Sequence, residues 1–315
     1  MFKKVLVPTD FSSYAHRMQE CLAAIPGIEE VVLLNVVDGA NPMILERKGW
    51  SYGSLIDEAE TRLAEQAEHL AHLGEKGLSV QTLIKVIVEP MSGADGVDLK
   101  RLQPRLGLGK VEGGNVGEAI AKAAIEENVS LICMGAQGKG LVEGMLLGSV
   151  STEVLRQGQT DLLIIRYKIL DGGNEREHEK DHEKLCRDIF SKVMLTTDFS
   201  AAAQDAISRA KDLVGVSEIL LVHVMADEKD FNEAATKLNL LRKELAGPGR
   251  KITLHVLEGN SAEEILALAK KQDVSLIMMG SQGKSWSRQI RVGSTTFDVA
   301  RRAESPVMVI RPKKS

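Results

Sequence analysis

Two stretches of this 315-residue chain space glycine and serine in a way suited to holding an anion. They read Gly135-x2-Gly138-x9-Gly148-Ser149 and Gly280-x2-Gly283-x9-Gly293-Ser294, with identical intervals. Each begins right after a short apolar run, where the chain must turn and glycine turns freely. The second glycine has no side chain, so a phosphate can approach its backbone N–H. The Gly-Ser pair opens an amphipathic stretch that reads as a helix. Free N–H groups and the helix dipole at such a start attract anions, and the Ser149 hydroxyl adds a donor. An aspartate, Asp10 or Asp198, ends an earlier apolar run and suits hydrogen bonds from a ribose or a base edge. Plainer readings stand beside these. A glycine-rich turn from strand to helix is often only a tight turn. Asp10, followed by Phe-Ser-Ser, also suits a helix N-cap, and both roles are compatible.

The elements that position these residues come in two copies. KVLVPTDFSSYA at 4–15 matches KVMLTTDFSAAA at 192–203, and VLLNVV at 32–37 matches LLVHVM at 220–225. VSLICMGAQG at 129–138 matches VSLIMMGSQG at 274–283. GSVSTEVL at 148–155 matches GSTTFDVA at 293–300, and LLIIR at 162–166 matches VMVIR at 307–311. The interval from Asp10 to Asn35 equals that from Asp198 to His223. Five blocks in one order mark an internal repeat. The division is 1–168 and 189–315, with the charged segment 169–188 as linker. The first copy carries 43 extra residues between its second and fourth strands. They suggest insertions near 38–55 and 89–112, a lengthened helix near 54–76, and a protruding loop at 89–112.

Strands are expected near 192–197, 219–225, 251–257, 274–279 and 307–311, apolar throughout and so covered on both faces. Helices are expected near 116–127, 200–214, 231–246, 261–272 and 294–303, with Ser261 and Glu264 as a capping box. Repeated strand–helix units predict an α/β fold with a parallel sheet.

With both glycine stretches, the first-strand aspartates and the matching last strands, the chain resembles the universal stress protein family in its tandem form. The likeness covers most of each copy and leaves out the insertions and the linker. It implies two Rossmann-like (adenine nucleotide alpha hydrolase-like) domains. Each would hold a five-stranded parallel sheet of order 3-2-1-4-5 with helices on both faces. Strands one and four then flank a crevice beyond the strand ends, where strand order reverses. The resemblance implies ATP or AMP as ligand, with Mg2+ accompanying ATP. In the first copy it implies Pro8, Thr9, Asp10, Val36, Met134, Gly135, Gly138, Gly148, Ser149, Val150 and Ser151 as binding residues. In the second it implies Thr197, Asp198, Val224, Met279, Gly280, Gly283, Gly293, Ser294, Thr295 and Thr296. Val36 would pack on the adenine, or serve the core alone. Thr196 in place of Pro8 and Thr295 in place of Val150 depart from the first copy.

Other readings are weaker. Net charge is −4 without a basic block, which argues against nucleic acid as the main partner. No apolar run is long enough to span a membrane, and Val5–Val7 is too short a signal core, so a cytoplasmic protein is expected. Three cysteines, Cys21, Cys133 and Cys186, do not read as a disulfide framework, and Cys133 reads as core. GSQGKS at 280–285 has two residues between its glycines where a Walker loop needs four. His178 and His182 lack an evident third metal ligand, and His69 and His72 read as an exposed helix face. The function implied is a nucleotide-dependent stress or signalling protein. The rivals are a slow ATPase or other phosphate-transferring enzyme, and a scaffold that binds nothing. Last-strand pairing, Leu162–Arg166 against Val307–Arg311, would join the two domains. The first-copy insertion would then be available to pair whole chains as a homodimer.

Overall fold

The computed structural model describes residues 2–38, 52–72, 77–87, 111–112, 114–137, 147–166, 183–225, 227, 230–283 and 292–312. The first repeat runs β1 (Lys4–Pro8), α1 (Ser13–Glu20), β2 (Glu30–Asp38), α2 (Tyr52–Ala71), β3 (Ser79–Ile87) and β4 (Val111–Glu112). It continues with α3 (Val116–Glu126), β5 (Leu131–Gly135), α4 (Ser149–Gln157) and β6 (Asp161–Ile165). The second runs β7 (Lys192–Thr196), α5 (Ala201–Lys211), β8 (Glu218–Met225), α6 (Phe231–Leu245) and β9 (Lys251–Glu258). It ends with α7 (Ser261–Gln272), β10 (Leu276–Gly280), α8 (Ser294–Arg302) and β11 (Val307–Ile310).

Short polar side chains start the helices. Ser12 accepts from the Ala15 N–H, and Ser200 from the Ala203 N–H. Asn115 and Glu118 form a capping box on α3. The box expected at Ser261 and Glu264 is displaced: Asn260 caps α7, accepting from Ala262 and Glu263. Asparagine caps as well as serine does, and the helix begins at Ser261, one residue earlier than the motif suggests.

The strands form one 11-stranded sheet, ordered β4-β3-β2-β1-β5-β6-β11-β10-β7-β8-β9. Within each repeat the pairing is parallel. The second repeat has the order 3-2-1-4-5 in its own count. The first keeps that order for β1, β2, β3, β5 and β6 but adds β4 outside β3, making six strands where five were expected. At the junction β6 meets β11 antiparallel, with Leu162, Leu163 and Ile164 opposite Val309, Met308 and Val307. The 89–112 loop reading needs a correction at its end. Val111 and Glu112 pair with Val86 and Ile87 as a short edge strand, which covers backbone groups that β3 would leave open. The rest of that insertion, and linker residues 169–182, lie outside the described residues.

Successive residues of a strand face opposite sides, so each strand feeds two cores. Val5, Leu163, Leu195 and Met308 belong to one, and Leu6, Ile164, Met194 and Val309 to the other. Both cores run unbroken across the β6–β11 junction. Buried arginines lock it from both sides. Arg166 donates to the Ala300 carbonyl in α8, and Arg311 to the Leu155 carbonyl in α4. Both carbonyls lie in the last turn of a helix, where intrahelical partners run out. Asp161 accepts from the Arg311 backbone N–H at 2.8 Å and pairs with Arg209 at 3.2 Å. Burial pushes the Asp161 carboxyl above the usual carboxylate range and lowers the Arg166 guanidinium to about 10.

The cysteine reading is also corrected. A short helix over 183–188 carries Cys186 against the end of α1, and Cys21 and Cys186 form a disulfide with Cα atoms 4.4 Å apart. The two lie 165 residues apart in sequence, which hid the pair. Cys133 is buried core as expected, and burial raises its thiol above the ordinary range. Peptide mapping of native, alkylated protein is therefore expected to find a Cys21–Cys186 linked peptide and unmodified Cys133. A labelled Cys21 in oxidised protein would contradict the bridge.

Candidate functional site

Strands β1 and β5 are neighbours, with Leu6 beside Ile132. The helices that follow them go to opposite faces. Met18 of α1 packs in one core, and Val154 and Leu155 of α4 in the other. That divergence opens a crevice at the strand ends, the place where α/β sheets take ligands. The cleft there has a volume of about 870 Å³. It falls within the range typical of small-molecule sites.

One wall is the turn after β1. The Thr9 N–H donates to the Leu34 carbonyl, and the Asn35 amide donates to the Thr9 carbonyl at 2.8 Å. Thr9 Oγ1 accepts from the Phe11 N–H at 3.1 Å, and Asp10 Oδ1 accepts from the Ser12 N–H at 3.0 Å. Asp10 thus shapes the turn, and the N-cap itself is Ser12, not Asp10. The turn holds Phe11 at φ 60°, a left-handed conformation that costs a non-glycine residue about 1–3 kcal/mol. The second repeat copies every part. Thr197 Oγ1 accepts from Phe199 N–H and Asp198 Oδ1 from Ser200 N–H, each at 3.0 Å, and Phe199 has φ 63°. His223 replaces Asn35, its Nδ1 lying 2.7 Å from the Thr197 carbonyl oxygen. The left-handed conformation is thus kept in both repeats, and both rings pack against the core.

The facing wall is the start of α4. The Gly148 N–H donates to the Ala136 carbonyl at 2.8 Å, and Ser151 Oγ donates to the Gly135 carbonyl at 2.9 Å. Gly293 and Thr296 repeat this on Ser281 and Gly280 at 2.7 and 2.8 Å. Gly148 and Gly293 are N-caps that offer no side-chain acceptor to the first turn. The first N–H groups of α4 and α8 therefore receive no side-chain cap, which is the arrangement that holds an anion.

The glycines differ in why they are glycine. Gly135 is the last residue of β5, and a Cβ there would lie 2.4 Å from the Tyr14 ring. Its role is to admit Tyr14, not to turn the chain. Gly280 likewise admits the Ala202 backbone, 2.7 Å from a Cβ. A Cβ on Gly148 would have the Ala136 oxygen as its nearest neighbour, at 3.4 Å, and its φ of −68° suits any residue. Among the described residues nothing demands glycine there. A Cβ on Gly283 would lie 2.7 Å from Asp198 Oδ2, which brings that aspartate onto the glycine loop.

In the first repeat, Pro8, Thr9, Asp10, Val36, Met134, Gly135, Gly148, Ser149, Val150 and Ser151 all line the cleft. Gly138 lies outside the described residues. In the second, Thr197, Asp198, Gly280, Gly283, Gly293, Ser294, Thr295 and Thr296 occupy the corresponding turn, loop and helix start. Met279 is buried in β10, and Val224 is half-buried in β8. Ser151 and Thr296 spend their hydroxyl protons on strand-end carbonyls, so they position the helix starts.

Sequence reasoning missed the outer wall. Leu55, Glu58 and Arg62 of α2 line the cleft, as do Val116 and Ile120 of α3. Arg62 stacks 4.5 Å over the Phe11 ring, donates to the Phe11 carbonyl at 3.2 Å and pairs with Glu58 at 3.4 Å. Lys237 takes the same place over Phe199 at 5.2 Å. The shared Thr-Asp-Phe-Ser was a usable signal for Phe11. The helix cations had none, since α2 and α6 fall outside the matched blocks.

A model of the universal stress protein family matches residues 1–166 and 190–311. A universal stress protein of Methanocaldococcus jannaschii is 28% identical over 160 residues, spanning 40% of this chain and 98% of that protein. One from Mycobacterium tuberculosis is 24% identical over 326 residues, spanning 98% of this chain and 94% of that protein. The crystal structure of a universal stress protein from Archaeoglobus fulgidus shares the fold, with a TM-score of 0.69 at 23% identity, covering 99% of this chain and all of that one.

Gly135→Ala is expected to lose about 1–3 kcal/mol by forcing Tyr14 aside. Gly148→Ala is expected to lose less than about 1 kcal/mol, the ordinary cost of a poorer cap. Urea unfolding of both variants checks the contrast, and equal losses would contradict it.

Proposed function

The chain belongs to the universal stress protein family, and on that premise we propose that it binds one adenine nucleotide per domain. The ligand is ATP or its breakdown product AMP, with Mg2+ accompanying ATP. The protein acts in the cytoplasm by changing shape or partners with nucleotide state, as part of a stress response. Its domains correspond to 1–168 and 189–315, joined in solution through the β6–β11 pairing seen in the sheet.

The observation that carries this reading is the Gly148 N-cap. It is a glycine that neither backbone strain nor a neighbour among the described residues requires, at a helix start that opens into an 870 Å³ cleft. A side chain there would fill the space that an anion needs beside the first-turn N–H groups. Those groups and the Ser149 hydroxyl are the donors for phosphate. Asp10 lies on the opposite wall and accepts from a ribose hydroxyl or base amine. Val36, beside it on β2, offers an apolar face to the adenine. The cleft's charged lining, among the described residues, is Asp10, Asp38, Glu58 and Arg62, and Arg62 is already held by Glu58 and the Phe11 carbonyl. Asp10 is expected at the ribose end of the nucleotide and not beside its phosphates. Any hydrolysis is expected to be slow.

Calorimetric titration with ATP, AMP and GTP tests the proposal, with product analysis of the same samples. The wild type is expected to take up ATP and AMP in preference to GTP, with negligible turnover. Gly148→Val and Gly293→Val are each expected to remove one site, because the added side chain fills the anion space. Absence of nucleotide binding in the wild type would refute the proposal. Rapid metal-dependent turnover would make the protein an enzyme.

A further inference from the structure

Further along α1 and α2 than their cleft-lining residues, the two helices bring together groups that the nucleotide reading does not use. His16 and Glu20 are four residues apart on α1 and so share one face of it. His69, on α2, meets them there. The His16 and His69 rings lie 5.2 Å apart, tilted by 34°. One ligand atom from each of His16, Glu20 and His69 lies within 4.8 Å of the other two. Two imidazoles in contact need no more than their own packing. Glu20 adds a carboxylate within the same reach of both, which completes a set of three donors of the kinds that ligate metal.

We propose that His16, Glu20 and His69 bind a divalent transition-metal ion of the zinc class, which fastens α2 to α1. Two imidazoles and one carboxylate are a donor set that zinc accepts, with a water completing four-coordination. Zinc bonds of 2.0–2.2 Å place tetrahedral ligand atoms about 3.4 Å apart. The side chains need to close by little more than 1 Å from the separation seen, and His16 and Glu20 are half-buried while His69 is exposed, which leaves room to do so.

The place of this site in the fold gives it a consequence. Arg62, Gln66 and His69 follow one another at helical spacing along α2. Arg62 holds the Phe11 carbonyl, Gln66 accepts from the Gln19 amide at 3.3 Å, and His69 closes the row on His16. The same helix supplies Leu55, Glu58 and Arg62 to the cleft wall. A metal at its far end therefore pins the helix that forms that wall. The site stands whether or not the cleft takes a nucleotide.

The test is competition of metal-stripped, full-length protein with a chromophoric chelator for Zn2+, alongside thermal unfolding with and without the ion. The wild type is expected to bind one Zn2+ through this site and to unfold at a higher temperature with it. His69→Ala and His16→Ala are each expected to weaken that binding by more than the roughly 10–100-fold typical of losing an outer hydrogen-bond partner of a ligand. His69 is exposed, so its variant is expected to match the metal-free wild type in Tm and to lose the zinc-dependent rise. Glu20→Gln is expected to weaken binding as well. The double variant His178→Ala, His182→Ala, in the linker, is expected to keep the site. The proposal is overturned if wild type shows no saturable binding, if His69→Ala binds as wild type does, or if the linker variant abolishes the site.

Discussion

The adjacency of β1 and β5 is the constraint from which the rest of the site follows. Because these two strands lie side by side and their helices leave toward opposite faces, their ends are the one level at which both walls of the cleft can meet. The β1 wall needs a turn that brings Asp10 inward. That turn is held by three side chains acting on backbone: Asn35 on the Thr9 carbonyl, Thr9 on the Phe11 N–H, and Asp10 on the Ser12 N–H. The β5 wall needs a helix start pressed close to the strand end, and Ser151 draws it there through the Gly135 carbonyl. Each wall is thus fixed by the chain's own hydrogen bonds before any ligand arrives. Preorganisation of this kind lowers the ordering cost of binding.

The repeat sets a second matching turn and helix start in the same sheet. The β6–β11 pairing covers the edge that each unit would otherwise expose, and both cores pass through it. Arg166 and Arg311 reach across in opposite directions to helix ends of the other repeat, so each domain completes part of the other's hydrogen bonding. The Cys21–Cys186 bridge adds a covalent tie between α1 and the segment entering the second repeat. Burial of the arginines and of Asp161 means that removing one partner strands another polar group out of water, which ties the two units' stabilities together.

Much of this was legible in the sequence because it rests on local patterns. Apolar runs such as Leu131–Met134 and Leu276–Met279 announce buried strands, and the strand order follows from the family likeness. The identical glycine spacings locate the helix starts, and the equal Asp10–Asn35 and Asp198–His223 intervals foreshadow the turn lock. What escaped notice depends on contacts between distant segments. Cys21 and Cys186 carry no mark of pairing until the helix over 183–188 is laid against α1. His69 looked like half of an exposed pair with His72 until α2 was set beside His16. The meaning of Gly135 changed from a turn to a passage for Tyr14 for the same reason: a steric demand across elements leaves no trace in spacing. Arg62 and Glu58 lie where the repeats cease to match, so the comparison that found the other wall residues could not reach them.

The central claim is that each repeat contributes a complete anion-holding crevice. Native mass spectrometry of the intact chain with ATP tests it most directly, by counting ligands on each molecule. The account predicts a saturating population with two nucleotides per chain. A chain that remains free of nucleotide at saturating ATP would contradict it, and a maximum of one would show that the second crevice, despite its matching turn and helix start, does not bind.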